Sequence, residues 1–339
     1  MSKKNSNVIL KNRFKDFKNL SSLYLNFRKK ISTLKKKKIA VAVSGGPDSL
    51  ALTAFCKAYS YEKNTKFYYV LVNHNIRKNS LSESIKVKLL LKKHNIDLDV
   101  LTVNKKITNN VQSKARFERY KLIKDYCKKK NIKTILTAHN LEDQVETFFI
   151  RLARGSGLAG LSSMRKVSEL SKEINLFRPL LDVNKKSLIK CSKLIFKKFF
   201  TDPSNSNDKY LRTKIRGLKK PLKESGISYD QIIKSINNLA SSKDTLDNFF
   251  IKIYAQVVKK NKNQIKINLL EFNKLNDELK LKTINKSIKY LKKNYYDPRS
   301  RKVLNLVQIL KDKKFKKSTL GGCIFIKNGD SLTLKREKS

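Results

Sequence analysis

The chain has 339 residues, with 78 Lys and Arg against 27 Asp and Glu, so its formal net charge is +51. A surface this basic attracts polyanions such as nucleic acid or an anionic membrane, although a general lysine bias would give the same composition. The apolar runs fall short of the roughly 20 residues of a membrane span, and the N-terminus lacks the apolar core of a secretory signal.

The length predicts two domains, at roughly 150 residues per domain. We place the first at residues 1–216 and the second at residues 217–339. The four cysteines are far apart and form no CxxC pair, which argues against a disulfide framework or a Cys-based metal site; they are Cys56, Cys127, Cys191 and Cys323. We therefore expect each cysteine to be a small, buried apolar side chain, and the protein to have a reducing, cytoplasmic location.

Short β-branched runs alternate with helical patterns through the first half of the chain. The expected strands are residues 39–43, 67–72, 100–103 and 134–138, and the helices between them are 49–59, 82–94 and 115–130. This alternation predicts an α/β, Rossmann-like domain with a parallel sheet. Ligands of such sheets bind beyond the carboxyl ends of the strands, where Ser44, Asn73 and His139 fall.

The pattern changes after about residue 200. A polar segment over 201–208 is followed by a Lys/Arg-rich stretch and by helical periodicity over 227–256 and 269–293. Strand-like pieces follow around 319–326 and 331–335, joined through Asn328-Gly329. We predict a smaller, mainly helical domain that ends in a hairpin.

A glycine turn lies between the first expected strand and the first expected helix, with the sequence Ser44-Gly45-Gly46-Pro47-Asp48-Ser49. Two glycines allow close backbone approach, the serines offer hydroxyls, and the helix start near Asp48 directs N–H groups at the cleft. No lysine closes the turn as in GxxxxGK[ST], and it is not GxGxxG. The alternative to a phosphate cradle is an ordinary βα turn.

The second constellation is the stretch from Ala138 to Thr147. Placed on a helix, His139, Asp143 and Glu146 fall within about 60° of one another, opposite an apolar side. A solvated charged face is the alternative. However, residues 39–56 and 134–150 are the two longest stretches without Lys or Arg, which favours an acidic pocket for Mg²⁺ or a cationic substrate.

The Ser44–Ser49 string resembles the loop of the PP-loop ATP pyrophosphatases, an adenine nucleotide alpha hydrolase-like family that cleaves ATP between its α- and β-phosphates. Ser44, Gly45, Gly46, Asp48 and Ser49 match the SGGxDS motif, and Pro47 occupies its variable position. The resemblance implies that this loop binds ATP and holds the departing pyrophosphate. It also implies Mg²⁺, for which Asp48 is the candidate ligand.

Further strings resemble the bacterial tRNA(Ile)-lysidine synthetases over about residues 35–217. The strings that match motifs of this family begin at Asn73 (NHNIR), Ala115 (ARFERY), Arg151 (RLARGSGLAGL), Arg178 (RPLL) and Asp202 (DPSNSNDKYLR). The acidic helix departs from the family pattern, because Asn140 and Glu142 replace a His and an Asp. Asn73 also stands where an Asp is common.

This resemblance implies an enzyme that adenylates the wobble cytidine of a tRNA(Ile) with anticodon CAU and then attaches free L-lysine, forming lysidine. Asp48, Arg116, His139, Asp143 and Glu146 are the candidate catalytic residues. The basic segments 151–165 and 212–223 are candidates to hold the tRNA. A thiolating PP-loop enzyme and a non-catalytic RNA-binding module remain alternatives. The sequence does not determine the oligomeric state, and a homodimer is left open.

Overall fold

The computed structural model describes residues 18–77, 79–104, 111–201, 211–292, 298, 300–312 and 314–337. The chain divides into two compact units, Met1–Ala240 and Ser241–Ser339. Within the described part of the chain, no helix combines the length and the apolar character needed to cross a membrane. The described cysteines are all buried, as the sequence predicts.

The first unit contains six strands and nine complete helices among the described residues, with a tenth helix that begins in it. Its elements in chain order are α1 (Lys18–Ser32), β1 (Lys38–Val43), α2 (Pro47–Glu62), β2 (Lys66–Asn73), α3 (Ser80–Lys92), β3 (Leu98–Thr102), α4 (Val111–Lys129), β4 (Thr134–Leu136), α5 (Leu141–Leu152), α6 (Leu158–Leu161), β5 (Val167–Ser171), β6 (Ile174–Phe177), α7 (Lys185–Phe196), α8 (Leu211–Gly217), α9 (Lys219–Glu224) and α10 (Tyr229–Val257).

The strands form one sheet in the order β3-β2-β1-β4-β6-β5. All neighbours pair in parallel except β5, which runs antiparallel to β6. Helices cover both faces, because Ile39 and Val41 of β1 pack with α1, α2 and α7, whereas Ala40 packs with α4. The strand order reverses between β1 and β4, which is where such sheets bind ligands.

The second unit is built around a five-stranded antiparallel sheet in the order β7-β8-β11-β10-β9. Its remaining elements are β7 (Val258–Lys260), β8 (Gln264–Asn268), α11 (Leu269–Lys274), α12 (Asp277–Leu291), α13 (Ser300–Ile309), β9 (Lys317–Leu320), β10 (Cys323–Asn328) and β11 (Ser331–Arg336). The predicted hairpin is β10–β11, which turns at Gly329 with φ of 55°. The sequence interpretation missed the other strands of this sheet.

The division between the units differs from the boundary expected at residue 217. Ile232 and Ile236 of α10 pack with Val145 of α5 in a small apolar cluster. Burying these side chains ties residues beyond 217 to the first unit. The functional division at residue 217 stays a prediction.

Candidate active site

The glycine turn connects β1 to α2 at the carboxyl edge of the sheet. Gly45 has φ of +82°, and a Cβ there would lie 2.6 Å from Val87 Cγ2, so this position requires glycine. Gly46 is the N-cap of α2 and provides no side chain to cap the first turn. The N-terminal end of α2 therefore keeps its positive dipole end available to an anion.

The two serine hydroxyls of the turn are bonded to each other. Ser44 Oγ lies 3.1 Å from Ser49 Oγ, and Ser49 Oγ donates to the Gly46 carbonyl at 2.9 Å. The Ser44 N–H also donates to Ser49 Oγ, at 3.1 Å. These bonds hold the two hydroxyls next to each other within the turn, where they are available to a phosphate group.

Asp48 lies in the first turn of α2, and its Oδ1 is buried without a hydrogen-bond partner. Burial raises the pKa of Asp48 to about 6; Lys185 and Asn140 oppose the rise, and Asp143 and Glu142 add to it. The structure thus brings Asp48 close to the acidic helix, as the sequence predicts. An unpartnered buried carboxylate oxygen is a suitable donor for Mg²⁺, which takes one or two carboxylates together with phosphate oxygens.

The acidic helix begins later than the sequence interpretation placed it. Asn140 is the N-cap of α5: its Oδ1 accepts from Asp143 N at 2.9 Å, and Asp143 Oδ2 accepts from Asn140 N at 3.1 Å. This reciprocal capping box makes Leu141 the first residue of the helix. His139 therefore lies outside the helix, and placing it on the helical face was wrong.

The two positions that depart from the family pattern both have structural roles. Asn140 makes the capping box, and Glu142 Oε2 accepts from the backbone N–H of Lys185 at 2.8 Å, at the start of α7. A carboxylate at a helix N-terminus is stabilised by the helix dipole. Asn140 therefore caps the N-terminus of α5, and Glu142 links α5 to the start of α7.

The expected acidic pocket has mixed charge. Glu146 accepts from Arg212 Nε and from Arg216 Nε, each at 2.6 Å, and Asp143 Oδ1 accepts from Arg212 Nη2 at 3.1 Å. The sequence interpretation missed this neutralisation because both arginines follow in α8, far along the chain. Over the described residues, no group of three or more His, Cys, Asp and Glu side chains could hold a metal ion.

His139 follows β4, and its Nδ1 lies 2.9 Å from Thr137 Oγ1. Burial lowers the pKa of His139 to about 3, and the charges of Arg178, Arg116, Arg212 and Arg119 add to the effect. The imidazole is therefore neutral at physiological pH and acts as a hydrogen-bonding group without charge.

The other predicted positions fall at the same edge or outside the described residues. Arg116 is exposed on α4, with Cζ 5.0 Å from the centre of the Tyr120 ring. Asn73 ends β2, and its buried Nδ2 has no hydrogen-bond partner. Residues 202–210 of the DPSNSNDKYLR string lie outside the described residues.

A pocket of about 330 Å³ opens beside the acidic helix. Its lining combines carboxylates, cations and one aromatic ring: Glu142, Glu146, Lys185, Lys186, Ile189, Arg216, Lys219 and Tyr229. Lys185 is a site residue that the sequence analysis missed. The sequence does contain a signal for it: a lysine in the first turn of a helix is unfavourable with the helix dipole, so its presence there suggests a functional role.

Comparison with known proteins agrees with this geometry. A family model described as a PP-loop domain matches residues 18–221. The tRNA(Ile)-lysidine synthase of Wolbachia pipientis wMel is 34% identical over 308 residues, covering 89% of this chain and 71% of that protein. That of Rickettsia typhi (strain ATCC VR-144 / Wilmington) is 31% identical, covering 88% and 70%.

Among solved structures, the U34-tRNA thiolase NcsA from Methanococcus maripaludis superposes with a TM-score of 0.54 at 18% identity, covering 66% of this chain and 78% of that one. At this identity the likeness concerns the fold alone. The sheet order, the Ser44–Ser49 turn and the match to the PP-loop family model together define an ATP-binding PP-loop enzyme. Its sequence relatives are more specific: the chain belongs to the tRNA(Ile)-lysidine synthase family.

Proposed function

We propose that the chain ligates free L-lysine to carbon 2 of the wobble cytidine of a tRNA(Ile) with anticodon CAU, releasing AMP and pyrophosphate. The observation that carries this proposal is the family relationship over 89% of the chain, joined to an intact SGGxDS turn. The turn and the acidic helix lie at neighbouring strand ends, so one cleft serves both half-reactions.

In the first half-reaction, oxygen 2 of the cytosine attacks the α-phosphorus of ATP, and the bond to the bridging β-phosphate oxygen breaks. The Ser44–Ser49 turn and the α2 N-terminus hold the departing pyrophosphate. Asp48 would hold Mg²⁺, which neutralises phosphate charge when bound. Lys185 is near enough to Asp48 to act against the rise in its pKa, and it would add positive charge for the phosphates.

In the second half-reaction, the ε-amine of lysine attacks carbon 2, the C2–O bond breaks, and AMP leaves. The amine must first lose a proton. Asp143 is the better acceptor of the two carboxylates, because the Glu146 side chain is 5% exposed and receives two guanidinium bonds of 2.6 Å. The Asp143 side chain is 19% exposed, and its arginine bond is longer, at 3.1 Å.

The target cytidine must leave the anticodon stack to reach this cleft, as with other enzymes that act on a base. Within the segment 151–165, Arg151 Nη1 donates hydrogen bonds to the Gly160 and Ser163 carbonyls. Arg151 therefore shapes the loop that would face the RNA.

The test combines ATP, lysine and a transcribed tRNA(Ile) with anticodon CAU, and measures pyrophosphate release and lysine incorporation. A transcript with U at position 34 is the matched control and should give no product. Asp48→Ala should abolish pyrophosphate release. A folded wild-type protein that forms no lysine-dependent product would refute the proposal, and sulfur transfer would favour a thiolating enzyme. Sedimentation equilibrium of the same preparation tests the homodimer.

A further inference from the structure

Three arginines interact with His139, which follows β4, beside the site already described. Arg116 and Arg119 come from α4 and flank Tyr120, with Cζ atoms 5.0 and 5.9 Å from the ring centre. Arg178 directly follows β6. We call the group Arg116, Arg119 and Arg178 the arginine pocket.

The backbone fixes this pocket in place. Thr137 N donates to the Phe177 carbonyl at 3.1 Å, which holds the end of β4 against the end of β6. Arg178 Nη1 donates to the Arg165 carbonyl at 2.8 Å and to Ser168 Oγ at 2.9 Å. The Arg178 side chain is therefore held rigidly, and the residue is only 7% exposed.

Buried guanidinium groups need negative charge nearby. The Nε atoms of Arg119 and Arg178 are buried without a hydrogen-bond partner. Among the described residues, neither side chain makes an ion pair with a carboxylate, whereas Arg212 and Arg216 do. A buried charge without a counter-charge is costly and indicates a binding site for an anion.

The positive charge of this cluster reaches His139, whose pKa is lowered first by burial. The fields of Arg178, Arg116 and Arg119 all act to lower the pKa of His139. The ATP phosphates already have the Ser44–Ser49 turn, so a second anion is expected at this position. Planar guanidinium forks match the paired non-bridging oxygens of a phosphodiester.

We propose that Arg119 and Arg178 bind the RNA phosphodiester next to the target cytidine and so position the flipped base for attack. This inference rests on the proposed function, since it requires an RNA substrate in the cleft. The two arginines act as positioning residues, with Arg116 at the exposed rim of the pocket.

The test compares Arg119→Gln with Lys129→Gln, an exposed lysine at the end of the same helix. Two affinities are measured on the full chain: for ATP alone, and for a CAU anticodon stem-loop over a range of salt concentrations. Arg119→Gln should weaken RNA binding roughly tenfold and reduce the salt slope by about 1. Its ATP affinity should match that of Lys129→Gln.

Stem-loops with one methylphosphonate, placed 5′ or 3′ of nucleotide 34, identify the contact. One of the two should weaken wild-type binding and cause no additional loss in Arg119→Gln. Unchanged RNA affinity in the folded variant, or weakened ATP affinity instead, would overturn the proposal. Arg119→Lys keeps the positive charge but loses the paired N–H donors of the guanidinium. It replaces Arg119→Gln in the test if that variant does not fold.

The proposed function can fail separately. If the wild-type protein shows these RNA effects but forms no lysidine, the pocket stands and the reaction assignment falls. If the wild-type protein forms lysidine while Arg119→Gln keeps its RNA affinity and salt slope, the reaction stands and the pocket falls.

Discussion

Asp48 is a residue whose burial opposes its charge. Its Oδ1 has no partner, and burial raises the pKa of the carboxyl to about 6. Lys185 supplies a nearby cation that only partly offsets this. The Asp48 carboxylate is therefore only partly compensated by positive charge, which is the condition expected of a group that binds a cation.

His139 is the residue whose charge state is easiest to test. Because its pKa is lowered to about 3, we expect the ¹³Cε1 chemical shift of this ring to stay constant between about pH 5 and 8. His139→Asn assigns the signal. The folded pKa lies below the ordinary value, so this group's contribution to stability is complete above about pH 6.5 and is lost as the pH falls from there. A titration midpoint near 6 would contradict this environment.

At the scale of elements, Glu146 makes two of the three ion pairs that join α5 to α8 among the described residues. Glu146 is 4% exposed and joins two arginines. We expect Glu146→Gln to lower the free energy of unfolding by about 1–3 kcal/mol, less than for a fully buried pair because both arginines are partly exposed.

Urea denaturation measures this change, and Lys220→Gln is the control. Lys220 pairs with Glu224 one helix later, but these side chains are 86% and 63% exposed. Its loss should change the free energy of unfolding by no more than about 0.5 kcal/mol. Equal effects of the two substitutions would show that the α5–α8 ion pairs do not stabilise the fold.

The N-terminus of α7 is a second element that contributes to the site. Lys185 lies near Asp48, and its backbone N–H bonds to Glu142, so Lys185→Ala removes the cation and keeps the helix start. We expect ATP affinity to fall roughly tenfold, the size of one charge-assisted contact. Calorimetric titration of Lys190→Ala, an exposed position on the same helix, should match wild type. Matching affinities in both variants would remove Lys185 from the site.

The sequence was informative wherever the evidence is local. The alternation of β-branched runs and helices predicted the parallel strands, and the strand ends placed Ser44 and His139 at one edge. The ion pairs of Glu146 join residues 66 and 70 positions apart, so no local period could reveal them. The helix start at Leu141 is consistent with the Asn140-x-x-Asp143 spacing of a capping box, a local signal that the sequence interpretation missed.

At the scale of the whole molecule, the two units have separate apolar cores. The core of the first unit includes Leu52, and that of the second includes Phe325; both side chains are fully buried. Truncating either side chain to alanine leaves a cavity that costs about 2–5 kcal/mol. Because the two clusters share no residue, each loss should be confined largely to its own unit.

Hydrogen exchange read by mass spectrometry tests this separation. Phe325→Ala should reduce protection in β8, β10 and β11 while leaving β1 and α2 unchanged, and Leu52→Ala should do the reverse. ATP affinity should follow the first unit alone, because the Ser44–Ser49 turn and α7 both belong to it. Simultaneous loss of protection in both units from either substitution would mean that they unfold as one cooperative structure.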